Sequence, residues 1–240
     1  ALRQVQQMLA NGADIIDIGG ESTRPGAKDV SLDDELARVI PVIHSIRQLY
    51  PDLPISVDTS KARVMAEAIA VGADIINDVR ALQEPEALEV AVAAKVPVCL
   101  MHMQGQPRSM QHQPSYQQVV QEVLAFLQQR AEICIAAGIA RQQIIFDPGF
   151  GFGKSLAHNY ELLSAMSQFV ETGYPVLAGM SRKSMIGQLL NRDVAERLAG
   201  SIACATIAVM KGAQIIRVHD IKETADAIKI AQATKFGVNA

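Results

Sequence analysis

Apolar runs in this sequence end, one after another, in side chains able to hold a ligand. Ile55-Ser56-Val57 closes on Asp58, and Ile75-Ile76 on Asn77, with Val79 two residues further. Val98 to Met101 is followed by His102, and Ile144-Ile145-Phe146 by Asp147. Val176 to Met180 leads into Ser181-Arg182-Lys183-Ser184, and Ile215-Ile216 into Arg217-Val218-His219. Asp147 offers two acceptors, Asn77 a donor and an acceptor, and Lys183 donors. Together they suit a flat heterocycle with a 2-amino-4-oxo edge, which needs acceptors for its N–H groups and a donor for its carbonyl. Arg217 and Arg24 are planar cations suited to phosphate or to stacking on a ring, and His219 adds a donor. Each residue alone has a plainer reading. Asp58, before Thr59-Ser60, could cap a helix; Lys183 could be a surface lysine, and His102 a hydrogen-bonded loop residue. Two Asp, an Asn, a Lys, an Arg and a His at successive run ends exceed what caps require.

The stretch Ile144 to Ser155 reads IIFDPGFGFGKS. Pro148 stops the apolar run, and Gly149, Gly151 and Gly153 open a loop able to pass close to a ligand. A buried Asp147 needs donors, so either a ligand supplies them or the carboxylate caps its own turn. The glycine spacing fits neither a Walker loop nor a dinucleotide fingerprint.

These residues share a rim only if parallel strands deliver them. Strand patterns fall at Asp14–Ile18, Ile55–Asp58, Ile75–Val79, Val96–Met101, Ile144–Asp147, Val176–Met180 and Ile215–Val218. Helical spacing fills Leu2–Ala10, Leu32–Tyr50, Ala62–Val71, Pro85–Ala94, Tyr116–Ala137, Asn159–Val170, Arg192–Met210 and Lys222–Ala233. Alternation of this kind predicts a parallel sheet with helical crossovers. Gly12-Ala13-Asp14-Ile15-Ile16 recurs at Gly72 to Ile76 and, with Gln214 for Asp, at Gly212 to Ile216. It is a helix-to-strand joint in which glycine takes the left-handed C-cap. Pro85 is expected to open one helix and Ser31, before Asp33-Asp34-Glu35, another. Gly19 to Val30 and Gly105 to Pro114 read as irregular loops, the first a mobile one at the functional end. The fold expected is a (β/α)8 TIM barrel, α/β in class. Because the chain opens on a helix, the barrel's first strand is expected to be missing from it. In such a barrel the C-terminal strand ends form the catalytic rim.

Composition agrees. The 240 residues suit a single barrel domain over residues 1–240. Hydrophobic residues make up 49% and aromatic ones 4%, which favours an aliphatic α/β core over a Trp- and Tyr-rich carbohydrate binder. Net charge is −3 without a long basic run, arguing against a nucleic-acid partner. Cys99, Cys134 and Cys204 form no CxxC pair, which points to reduced thiols in the cytoplasm and not to zinc. No apolar run reaches membrane-spanning length, and Leu2–Ala10 is amphipathic, unlike a signal peptide.

ESTRPGA (21–27), ISVDTSK (55–61), IINDVRAL (75–82), VCLMHMQG (98–105), DPGFGFGK (147–154), GMSRKSMIG (179–187) and IIRVHD (215–220) together resemble the bacterial dihydropteroate synthase family of pterin-binding enzymes. The likeness runs from about Asn11 to about Thr234. It implies joining of 6-hydroxymethyl-7,8-dihydropterin diphosphate to para-aminobenzoate, giving 7,8-dihydropteroate and diphosphate. It also implies a pterin pocket of Asp58, Asn77, Asp147, Lys183 and Arg217 walled by Val79 and Met101. The diphosphate falls to Thr23, Arg24, Arg217 and His219; para-aminobenzoate, with which sulfonamides would compete, falls to Thr23, Pro25, Phe152, Lys183 and Ser184. Asp58, Lys183, Arg217 and Arg24 become the catalytic set, Mg2+ the cofactor and a homodimer the assembly. The family's Asn metal ligand has no match here, so the resemblance names no metal ligand in this chain. Two other enzymes share parts of the pattern: a pterin-binding methyltransferase barrel, disfavoured by the Arg24-Pro25 loop, and a Schiff-base aldolase using Lys183, which borohydride trapping would reveal. A truncated pterin binder without turnover is the non-enzymatic reading.

Overall fold

The computed structural model describes residues 1–22, 26–105 and 114–238. Seven strands appear among them: β1 Ile16–Gly19, β2 Ile55–Asp58, β3 Ile75–Asp78, β4 Val98–Met101, β5 Ile144–Asp147, β6 Leu177–Ala178 and β7 Ile215–Ile216. β1 to β5 pair in parallel in chain order, β6 pairs with β7, and a parallel bridge from Phe146 to Val176 joins the two groups. Parallel pairing in chain order, with a helix between strands, is the winding of a TIM barrel. β1 and β7 are the outer strands among the described residues.

The helices are α1 Leu2–Ala10, α2 Leu32–Leu49, α3 Ala62–Ala70, α4 Ala87–Ala94, α5 Val119–Ala137, α6 Leu156–Ser164, α7 Met166–Val170, α8 Ser184–Leu190, α9 Leu198–Met210 and α10 Ile221–Phe236. Ser31 caps α2 as expected, accepting from the Asp34 N–H at 3.1 Å. Three expectations need correction. Pro85 lies in a turn before α4, which begins at Ala87 behind Glu86 in the left-handed region. The span Asn159–Val170 divides at Ala165 into α6 and α7. Arg192–Met210 yields a 3-10 turn at Val194–Glu196 and then α9, while the short α8 precedes it unannounced by helical spacing.

Strand alternation separates two environments. Ile55 and Val57 of β2, Ile76 of β3, Val98 and Leu100 of β4, and Ile144 and Phe146 of β5 face the helices in the main core, beside Val39, Ile43 and Ile46 of α2. Each such side chain, fully buried, contributes roughly 1.5–3 kcal/mol. The opposite set turns inward. Cys99, Ile145 and Leu177 form a separate cluster with Ile215 against it. Above this apolar floor, the next inward positions are Asp58, Asn77, Met101, Asp147 and Arg217. Register aligns them: Gly19 with Asp58, Asp58 with Asn77, and Met101 with Asp147.

Candidate active site

Asp58, Asn77 and Asp147 are all buried, at 9%, 7% and 8% exposure, so their polar atoms must find partners inside the barrel mouth. Arg217 Nη2 donates to Asp58 Oδ2 at 2.9 Å, and its Nε to Asp17 Oδ2 at 2.6 Å. Asn77 Nδ2 approaches the same Asp17 oxygen at 3.5 Å. Asp147 Oδ1 accepts the Gly149 N–H at 2.7 Å. The carboxylate thus caps its own turn through Oδ1, the plainer of the two readings offered for it. Lys183 Nζ donates to the Phe150 carbonyl at 2.6 Å and stands 4.7 Å from the centre of the Phe152 ring. Val79, Met101 and Phe152 form one apolar cluster with Met103 against it, giving a continuous wall beside the charged groups.

The loop after β5 owes its path to glycine. Gly149 and Gly153 have φ of +70° and +61°, and a Cβ on them would lie 1.9 Å from the His102 carbonyl oxygen and 2.3 Å from that of Gln104. Any side chain there would push the loop off the end of β4.

The charges are mutually coupled. Burial and the neighbouring Asp17 push Asp58 up to about 7, against the pull of Arg217. Burial likewise raises Asp147, with Lys183 opposing it. Burial brings Lys183 down to about 8, although Asp147 favours its charge. For Arg217, burial works against the charge, but Asp17 and Asp58 outweigh it and hold the group above its ordinary value. The mouth therefore presents both signs of charge beside an apolar wall, with Asp58 and Lys183 brought closest to neutral pH.

Residues 1–219 match the family model described as pterin binding enzyme. The chain is 60% identical to the dihydropteroate synthase of Haemophilus influenzae over 234 residues, 98% of this chain and 85% of that protein. This chain belongs to the dihydropteroate synthase family. Among solved structures, the Yersinia pestis dihydropteroate synthase with a sulfonamide drug complex superposes with a TM-score of 0.96 at 56% identity, covering 98% of this chain and 85% of that one. The Xanthomonas albilineans dihydropteroate synthase with 4-aminobenzoic acid does so with 0.93 at 46%, covering 98% and 84%.

Of the residues expected in a dihydropteroate synthase site, Asp58, Asn77, Asp147, Lys183 and Arg217 meet at the mouth, with Val79, Met101 and Phe152 beside them. Ser184 opens α8 directly after Lys183. His219 follows β7, its Nδ1 3.1 Å from Ser181 Oγ. Thr23, Arg24 and Pro25 lie outside the described residues, as do Pro107 and Arg108 of the second irregular stretch. Two residues escaped the sequence reading. Asp17 of β1 anchors Arg217, and its Oδ1 is the only buried side-chain oxygen or nitrogen without a hydrogen-bond partner among the described residues. Its signal was alternation: Asp17 shares a face with Ile15 and Gly19. Lys154, at the end of the glycine loop, is 3% exposed and points inward. Flanking the mouth, a cleft of about 450 Å3 runs from Asp58 and Val79 past Lys61, Arg80 and Glu84. At its edge, Lys61 bridges Glu21 and the fully buried Glu35, each at 2.5 Å.

Proposed function

We propose that this chain performs its family's reaction through the residues gathered at the barrel mouth. It is a transferase of folate biosynthesis, joining 6-hydroxymethyl-7,8-dihydropterin diphosphate to para-aminobenzoate. The observation that carries the residue assignment is the convergence of Asp58, Asn77, Asp147, Lys183 and Arg217 beside the Val79, Met101 and Phe152 wall. Asp147 Oδ2 and Asn77 take the 2-amino and ring N–H edge of the pterin. Lys183 donates to the ring carbonyl, and Arg217 lies against the ring with its remaining N–H groups toward the diphosphate, joined by His219 and Arg24.

The chemistry asked of the protein is electrostatic. The bond from the pterin methylene carbon to the diphosphate oxygen breaks, and its electron pair leaves with diphosphate. The methylene carbon becomes a delocalised cation next to the Asp58 carboxylate, while Arg217 and His219 stabilise the leaving anion. The arylamine nitrogen of para-aminobenzoate, unprotonated at neutral pH, then forms the new C–N bond and sheds a proton to the departing diphosphate or to water. Phe152, Lys183 and Ser184, with Thr23 and Pro25, frame the arylamine, where a sulfonamide competes.

Magnesium fits poorly on the protein's own donors. Among the described residues no three His, Cys, Asp or Glu side chains gather to hold a metal, and Asp17 and Asp58 are both engaged by Arg217. Any Mg2+ the reaction used would draw few ligands from the described residues. We further propose a cytoplasmic homodimer. Its three cysteines are buried and free, as in a reducing compartment, and among the described residues no helix is long and apolar enough to cross a membrane. Leu189, Leu190, Val194, Ile207 and Met210 stand exposed on and around α8 and α9, an apolar surface for a second copy. The deciding experiment is a coupled assay for dihydropteroate from both substrates, with and without magnesium. Product formation is expected, and its absence under both conditions would overturn the assignment.

A further inference from the structure

The loop Pro148 to Gly153 carries both Phe152 and the carbonyl that holds Lys183, and it is itself anchored on a second, buried lysine. Lys154 Nζ sits buried beneath it, 2.9 Å from the Gly149 carbonyl oxygen and 3.0 Å from that of Phe152. The same ammonium reaches the His102 carbonyl at 3.2 Å and His102 Nδ1 at 3.0 Å. The positive φ angles of Gly149, Gly151 and Gly153 turn successive carbonyls to opposite sides. Those of residues 149 and 152 point down to Lys154, and that of Phe150 points up to Lys183 at 2.6 Å. The remaining loop groups are also held: Tyr116 Oη donates to the Gly153 carbonyl at 2.8 Å, and the Gly151 N–H donates to Asn159 Oδ1 at 2.7 Å.

We propose that Lys154 is a positioning residue for the arylamine half of the site, its ammonium acting as an internal cation on which the glycine loop is folded so that the Phe150 carbonyl and the Phe152 ring meet Lys183. An apolar or absent side chain would leave the His102 and Phe152 carbonyl oxygens without their donor and the Gly149 oxygen with the Phe152 N–H at 3.1 Å instead of two donors. The loop would then relax toward water, and Lys183 would lose the partner that holds it over Phe152. Asp147 and Asn77 are fixed by strand register and would keep their places. Pterin binding keeps those two contacts and loses only that of Lys183, whereas the arylamine loses both Lys183 and Phe152; the arylamine is therefore affected more, which a general loss of packing would not produce. Burial brings Lys154 down to about 7, Asp147 opposing and Lys183 adding to the shift; with burial and this ammonium beside it, His102 falls to about 3 and stays neutral, able to accept at Nδ1.

This inference rests on placing para-aminobenzoate against Phe152 and Lys183. Its test uses Lys154→Met, which keeps the stem without the ammonium, and Lys154→Ala, which leaves a hole lined by carbonyls. The expected result is a rise of about tenfold or more in KM for para-aminobenzoate, with pterin affinity by calorimetry falling by a clearly smaller factor. Ammonium or methylammonium should partly restore the Ala variant, while tetramethylammonium at the same ionic strength should not. A folded Lys154→Met enzyme with unaltered KM for the arylamine overturns the proposal. So does equal loss of pterin and arylamine affinity without rescue. Should the Ala variant not fold, the Met variant decides. A wild-type protein that makes no dihydropteroate would instead fail the functional reading, and calorimetry with each substrate alone would still test the loop.

Discussion

Arg217 and Asp17 form an ion pair across the two outer strands, with Nε 2.6 Å from Oδ2. The pair brings the end of β7 to the side of β1 and leaves Nη2 on Asp58. A guanidinium held at two edges is oriented before any ligand arrives. Asp17→Asn removes one charge-assisted bond, about 1.5–3 kcal/mol. Steady-state kinetics should show kcat/KM for the pterin diphosphate falling roughly ten- to a hundredfold, while KM for para-aminobenzoate changes little. An unaltered kcat/KM would mean that Arg217 needs no such anchor.

The same substitution has a signature in pH. Asp17 raises Asp58, which stands at about 7, and Lys183 stands at about 8. Catalysis needs Asp58 ionised and Lys183 protonated, so kcat/KM should rise through pH 7 and fall above pH 8. In Asp17→Asn the acid limb should move to lower pH while the alkaline limb stays. Comparing the two enzymes on one substrate removes the substrate's own titration from the difference.

Stability should run the other way. The folded pKa of Asp58 lies above its unfolded value, so the folded state binds the extra proton and stability declines as pH rises from about 4 to about 7. Above that window the cost of a buried carboxylate is fully present. Asp58→Asn should therefore abolish turnover yet melt a few degrees higher than wild type at pH 8 in the absence of ligand. A lower melting temperature at pH 8 would show that the Arg217 pair outweighs burial.

Asp147→Asn keeps an oxygen for the Gly149 N–H and loses the charge facing the pterin edge. Calorimetry should find pterin binding weaker by roughly 2–3 kcal/mol, with the urea midpoint close to wild type. Retained affinity would remove Asp147 from the pterin site.

Gly149→Ala puts a methyl group 1.9 Å from the His102 carbonyl oxygen on a residue with φ of +70°. The clash and the left-handed backbone together should cost about 2 kcal/mol or more in urea unfolding, with activity lost alongside.

How much of this was legible in the sequence follows from where each side chain sits on its strand. Asp58, Asn77, Asp147, Lys183 and Arg217 each end or closely follow an apolar run, where a polar residue contrasts with what precedes it. Asp17 lies within Ile15-Ile16-Asp17-Ile18, where it reads as an interruption; alternation puts it on the face of Ile15 and Gly19, and pairing with β2 sets it at the level of Ser56. Lys154 resembles any lysine after a glycine-rich turn, because its burial depends on the carbonyls of a loop whose path was not known. α8 has seven residues and too few turns to display a period, whereas the eighteen of α2 display one plainly. Pro85 carried a valid helix-start signal, but Glu86 takes the left-handed region and moves the start beyond it.

β4 and β5 are joined beyond their ladder, since the His102 N–H donates to the Asp147 carbonyl at 3.0 Å and the His102 carbonyl meets Lys154. β6 and β7, by contrast, pair over two residues each. The amide of His102 should therefore be among the slowest to exchange with heavy water, and those of Ile215 and Arg217 among the quicker. A molecule lodged between Asp147 and Arg217 would bridge a slow wall and a fast one. Its presence would be written mostly as deuterium uptake suppressed along β7, the less firmly paired side of the site.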